Sequence, residues 1–139
     1  MNNTIKNVLG VVAGAILGGL VNGGIISISS KIIPPPEGAI LTTMEGLKAS
    51  MSLMEPKHFI MPFLAHAIGT LVGAALGAYI AAKHKMQVSL IIGFLFFLGG
   101  FSMVFSLPSP FWFNALDLIF AYFPMAWIGG MIGSKLSKS

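Results

Sequence analysis

Residues 8–30 read VLGVVAGAILGGLVNGGIISISS, and no charged side chain occurs between Lys6 and Lys31. At 1.5 Å per residue this stretch is roughly 35 Å long as a helix. A hydrocarbon core of about 30 Å is spanned by such a length. Backbone amides meet no water there, so they must be paired within the segment, and that selects a helix. The apolar stretch outruns the roughly 7–15 residues of a secretory signal core. It ends in Ser27-Ile28-Ser29-Ser30-Lys31 without a clear small-x-small cleavage site. It is therefore read as a retained membrane helix.

Three further apolar segments match the first, at 59–82, 86–107 and 112–134. The expected fold is an all-α integral membrane protein with one domain, residues 1–139. It is a four-transmembrane-helix bundle, its spans at 8–30, 59–82, 86–107 and 112–134. The loop over 31–57 is the main part outside the membrane. Composition agrees. Of 139 residues, 8 are basic and 4 acidic, and hydrophobic residues make up 55% with a mean hydropathy of +0.89. A soluble domain carries about 25% charged residues; this chain carries 9%. Too few charges are present to cover a water-facing surface, which excludes a soluble globular domain, a disordered chain and a nucleic-acid binder. The absence of cysteine excludes disulfides, thiol catalysis and Cys-based metal sites.

All eight basic residues are lysines, and their placement sets an orientation. Lys6, Lys83, Lys85, Lys135 and Lys138 fall on the side that four crossings assign to both termini. Lys31, Lys48 and Lys57 fall on the other side, offset by Glu37, Glu45 and Glu55. Positive charge is retained in the cytoplasm, so both termini and the Lys83-His84-Lys85 turn are expected there. Phe111 and Trp112 then open the last span at the outer interface, where aromatic side chains collect.

The outer loop begins with Pro34-Pro35-Pro36, which lack the N–H groups a helix needs. Leu41, Met44, Leu47, Met51 and Met54 then recur every three or four residues, with Thr42, Thr43, Glu45, Ser50 and Ser52 opposite. That periodicity predicts a short amphipathic helix of about four turns, covering the outer ends of the spans and ended by Pro56.

Seventeen glycines are grouped rather than scattered. Gly10, Gly14 and Gly18 repeat every four residues, as do Gly69, Gly73 and Gly77, and Gly129 and Gly133. A second register holds Gly19 and Gly23. Four-residue spacing gathers small residues on one helix face, and close backbone approach is what joins helices in lipid. The first two spans are expected to pair antiparallel along these stripes. The third, with Phe94, Phe96, Phe97, Phe101 and Phe105, is expected to fill around them. An oligomer interface and a glycine-lined pore are the alternatives.

Polar side chains at membrane depth point to function. Asn22, His66, Asp117 and Tyr122 come from three spans, and the first three share a layer in the outer half. An aspartate in hydrocarbon requires a partner, a proton or water, and His66 is the natural partner. Structural packing, a binding or proton site, and a metal ligand are the readings of this set. No metal-ligand spacing is present, so no metal and no cofactor is expected. Phosphate-loop, HExxH and GxSxG motifs are absent too. No catalytic residues are assigned.

The chain resembles small four-helix inner-membrane proteins of bacteria that have no assigned activity. The resemblance rests on a glycine-rich first helix before Pro34-Pro35-Pro36-Glu37-Gly38, on Ala65-His66-Ala67 followed by Gly69, Gly73 and Gly77, and on Pro108-Ser109-Pro110-Phe111-Trp112-Phe113 leading into the last span. It implies a bacterial inner-membrane location. Small four-helix drug exporters carry a glutamate in the first helix, whereas no acid precedes Glu37 here; fluoride channels expect an arginine, and this chain has none. Two functions follow as expectations. One is a non-enzymatic accessory or structural subunit of an inner-membrane assembly. The other is a small transporter or channel, as a monomer or homodimer, built on the four polar residues. The expected partners are the lipid bilayer and either other subunits or further copies of the chain.

Overall fold

A computed structural model describes residues 1–139. The chain is all-helical, with α1 (Asn3–Ile32), α2 (Met44–Ser50), α3 (Ile60–Ile80), α4 (Lys85–Ser106), α5 (Phe111–Phe120) and α6 (Phe123–Leu136). Short 3-10 turns at Met51–Leu53 and Pro56–Phe59 lead into α3. Four helical stretches are long and apolar enough to cross a membrane: Asn3–Ile32, Pro56–Ile80, Lys85–Ser106 and Phe111–Leu136. The protein is a multi-pass membrane protein with the four-helix bundle its hydropathy dictates.

α1 exceeds the expected span at both ends. Asn2 caps its start, accepting a hydrogen bond from the Thr4 N–H at 2.8 Å. Near its end the Ser27 and Ser29 hydroxyls donate to the Gly24 and Ile26 carbonyls instead of breaking the helix.

α3 is the central helix, flanked by α1 on one side and α6 on the other. Gly10, Gly14 and Gly18 are the only buried residues of α1. They oppose Gly77, Gly73 and Gly69 in antiparallel order. A Cβ on Gly10 would lie 2.7 Å from the Gly77 carbonyl oxygen, and one on Gly18 would lie 2.7 Å from that of Gly69. Only glycine permits backbones this close, and in lipid that approach supplies the dispersion contact that holds the pair. Gly129 and Gly133 bring α6 onto the Leu71 and Ala75 carbonyls on the other flank of α3. Gly19 and Gly23 have no atoms of the protein beside them.

The third span fills this arrangement only in part. The Ile92 Cδ1 wedges between Gly14 and Gly77, and the Phe96 ring lies against Gly18. Phe94, Phe101 and Phe105 are instead exposed along the outside. The wedge is set by which face of α4 meets the stripe, and that face carries Val88, Ser89, Ile92 and Gly93. Ser89 donates from its hydroxyl to the Ala74 carbonyl at 3.0 Å, the buried polar tie between α4 and α3.

At the end carrying the termini, the Asn7 side chain accepts from the Ala82 and Lys83 N–H groups at 3.0 and 3.2 Å. The Lys85 ammonium donates to the Ala78 and Ala81 carbonyls that α3 leaves open. At the other end, the amphipathic helix is shorter than periodicity predicts. It begins at Met44, because Thr43 caps it by accepting from the Gly46 N–H at 3.0 Å. Leu41 and Thr42 therefore lie outside it. Met51 and Phe59 pack on Phe113 with Leu47 and Met54 around them, so the loop's apolar face covers the ends of the spans. His58 ties the loop down: its Nδ1 accepts from the Glu55 N–H at 2.8 Å and its Nε2 donates to the Pro34 carbonyl at 3.2 Å.

The fourth span is not one helix. It divides at Ala121–Tyr122 into α5 and α6. Pro124, in the first turn of α6, has no N–H to give the carbonyl four residues back, and its ring crowds that carbonyl. Tyr122 absorbs the break with φ −114° and ψ −77°.

Candidate functional site

The break builds the site. In an unbroken helix of 3.6 residues per turn, a residue five positions after Asp117 would point about 140° away from it. The irregular backbone at Tyr122 turns its side chain back onto Asp117, where the phenol O–H donates to Oδ2 at 2.9 Å. From α3, His66 Nδ1 stands 2.8 Å from the other carboxylate oxygen. The His66 and Tyr122 rings stack with centroids 5.8 Å apart and an interplanar angle of 25°. Phe97 of α4 meets the Tyr122 ring edge-on at 6.1 Å. Gly100 leaves room for the phenol; a Cβ there would strike the hydroxyl.

Asp117 is only 5% exposed, the most buried charged residue of the chain. Its two oxygens each hold a partner, which is what a carboxylate in an apolar surrounding requires. With Asp117 ionised, His66 Nδ1 is the donor of their bond, because the carboxylate only accepts. His66 Nε2 has no hydrogen-bond partner in the protein, and the residue lines the cavity described next. His66 and Asp117 are joined by no third His, Cys, Asp or Glu.

Two cavities flank this network. One, of about 300 Å³, is bounded by Asn22, His66, Thr70, Phe96, Gly99, Gly100, Met103 and Tyr122. The other, of about 280 Å³, runs between the loop ends of α1 and α4 beneath the folded loop, and His66 and Asp117 form its floor. His66, Gly100 and Met103 line both, so the two meet at the histidine. Its walls are Ile26, Leu47, Met51, Met54 and Val104, among other apolar side chains.

Of the four residues singled out from the sequence, three are hydrogen-bonded together. Asn22 is not in the network, although it borders the same cavity; its backbone and Cβ lie against Gly69. Its Oδ1 is buried and without a partner. Thr70, outside the four polar residues that depth singles out, is fully buried with its hydroxyl equally unpartnered. One signal for it was available. Thr70 is four residues after His66, hence on the same face of α3 one turn further along.

Fold and site define a class: a four-helix integral membrane bundle with a hydrogen-bonded His–Asp–Tyr network buried beside a cavity at the loop end. Comparison with protein-family models, curated proteins and solved structures finds no match to this chain.

Proposed function

We propose that the chain is a non-enzymatic bacterial inner-membrane protein that binds and passes a small molecule through the His66–Asp117–Tyr122 site, with both termini cytoplasmic. The observation carrying this reading is the pairing of a saturated network with unsaturated neighbours. His66, Asp117 and Tyr122 satisfy one another, His66 borders both cavities, and the neighbouring Asn22 Oδ1 and Thr70 Oγ1 are buried without a partner. Buried polar groups are ordinarily paired. The excess of lysines at the termini and the Lys83–Lys85 turn supports the orientation.

The test is flux. Purified protein in liposomes with an internal pH dye should dissipate an imposed proton gradient when small solutes are supplied, and Asp117→Asn should abolish this. Flux that ignores that substitution, or no flux with any solute, refutes the reading.

The accessory-subunit reading stands second, and Gly19 and Gly23 favour it. They form a four-residue small-side-chain stripe on α1 that no helix of this chain covers, a surface on which another membrane helix packs closely. Mass measurement after mild-detergent extraction tests it, since a partnerless monomer contradicts it.

A further inference from the structure

We infer that the cavity beneath the folded loop holds one acyl chain of a membrane lipid, which enters sideways between α1 and α4. The inference rests on the reading above for the place of the site and names the class of ligand that enters it.

The walls select an apolar occupant. Ile26, Leu47, Met51, Met54 and Val104 supply them. Among the polar groups bordering the cavity, both Asp117 oxygens are held by His66 and Tyr122. Both His58 ring nitrogens are held by Glu55 and Pro34, and the Ser29 hydroxyl by the Ile26 carbonyl. A polar ligand would give up its water without gaining these groups as partners, which costs free energy. An apolar hollow stays dry and takes an apolar guest. Left empty, it deprives its walls of dispersion contacts, and an alkyl chain restores them. Its volume of about 280 Å³ lies near the lower end of the roughly 300–1,000 Å³ typical of small-molecule sites, which suits one chain rather than a whole lipid.

Direction and opening select a lipid tail as the source. The lining runs from Ile26 to Ile33 on α1 and from Gly100 to Leu107 on α4, roughly 10 Å along each helix at 1.5 Å per residue. One end of the cavity therefore stands at the loop ends of these helices, and its floor at His66 and Asp117 lies within the spans. A chain hung from a head group at the membrane surface runs the same way. Ile26 and Met103 line the cavity and are also exposed, so they stand at its mouth. They precede the ends of α1 and α4, at Ile32 and Ser106, by roughly 5–9 Å. The mouth thus opens on the hydrocarbon side of two membrane-spanning helices, where acyl chains are the solvent. Deeper still, the Phe96 ring against Gly18 closes α4 onto α1.

The full chain in phosphatidylcholine nanodiscs is photolabelled with a phosphatidylcholine that carries a diazirine at the end of one acyl chain, and adducts are mapped by peptide mass spectrometry. Met51 and Met61 line the cavity and are each only 8% exposed, so lipid on the outside of the bundle does not reach them. Ile119 is exposed outside the cavity and reports on that outer lipid. Adducts are expected at Met51 and Met61 as well as at Ile119. Val104→Phe, which fills the cavity, and Ile26→Phe, at its exposed mouth, should lower the Met51 and Met61 adducts relative to Ile119 by at least about tenfold, equivalent to about 1.4 kcal/mol. Leu98→Phe, exposed on α4 away from the cavity, should leave them unchanged. Decane carrying a diazirine, added to the same discs, tests for an occupant without a head group. No adduct at Met51 or Met61, adducts that neither phenylalanine variant lowers, or labelling there by the decane but not by the lipid overturns the inference. Asp117-dependent flux without these lipid adducts leaves the site reading standing and removes this one. The adducts without any flux support the lipid site and remove passage.

Discussion

Gly73→Ala tests the joint between α1 and α3 in its simplest form. An ideal Cβ at position 73 would lie 2.5 Å from the Gly14 carbonyl oxygen, 3.1 Å from Gly18 Cα and 3.3 Å from Gly14 C. All three atoms are backbone, so no side chain can swing aside. Ordinary contact begins at 3.4 Å, so the helices must part by about 0.9 Å at this step. That movement opens the Gly10–Gly77 and Gly18–Gly69 steps on either side and weakens the dispersion contact there. Overpacking of this kind costs about 1–3 kcal/mol, offset by about 0.5–1 kcal/mol from the better helix propensity of alanine. Gly19→Ala is the matched reference, because nothing lies within 4 Å of its Cβ; it keeps the propensity gain without the clash. The two variants should differ by about 2 kcal/mol in reversible unfolding by a denaturing detergent in mixed micelles. Equal stability of Gly73→Ala and Gly19→Ala would refute the view that backbone contact joins these helices.

Tyr122→Phe removes the O–H that donates to Asp117 and should cost about 1.5–3 kcal/mol, the worth of a hydrogen bond to a charged group. Gly100→Ala should reproduce most of that loss by displacing the phenol, and combining it with Tyr122→Phe should add far less than the sum; a double-mutant unfolding cycle reads this coupling. Ser89→Ala deletes the buried bond to the Ala74 carbonyl, and the expected loss is only about 0.6 kcal/mol, as for other interhelical bonds in membranes. A loss above about 2 kcal/mol at Ser89 would place the α3–α4 joint in that bond rather than in packing.

The four spans and the α1–α3 pairing are legible in the sequence because both depend on local rules. Span length follows from hydrocarbon thickness, and the four-residue glycine period maps onto one helix face whatever the neighbours are. The short turn over 81–84 leaves α3 and α4 antiparallel, and Lys85, the first residue of α4, caps α3. Periodicity alone extends the loop helix too far, since Leu41 matches the apolar pattern but precedes the Thr43 cap. The bulk of Phe94, Phe101 and Phe105 suggests that they fill around the glycine stripes, yet bulk carries no information on which face of α4 turns inward, and all three are exposed.

The site divides in the same way. The sequence alone placed Asn22, His66 and Asp117 at one depth, because rise per residue is fixed. It also carried Pro124, the cause of the break, since a missing N–H is a property of that residue in any fold. Tertiary structure alone decided that the break turns Tyr122 back onto Asp117, that His66 takes the remaining carboxylate oxygen, and that Asn22 Oδ1 and Thr70 Oγ1 are buried without a partner. These outcomes depend on the rotation of three helices about their own axes. Depth in the membrane follows from counting along one helix, whereas rotation is set by the neighbour against which each helix packs.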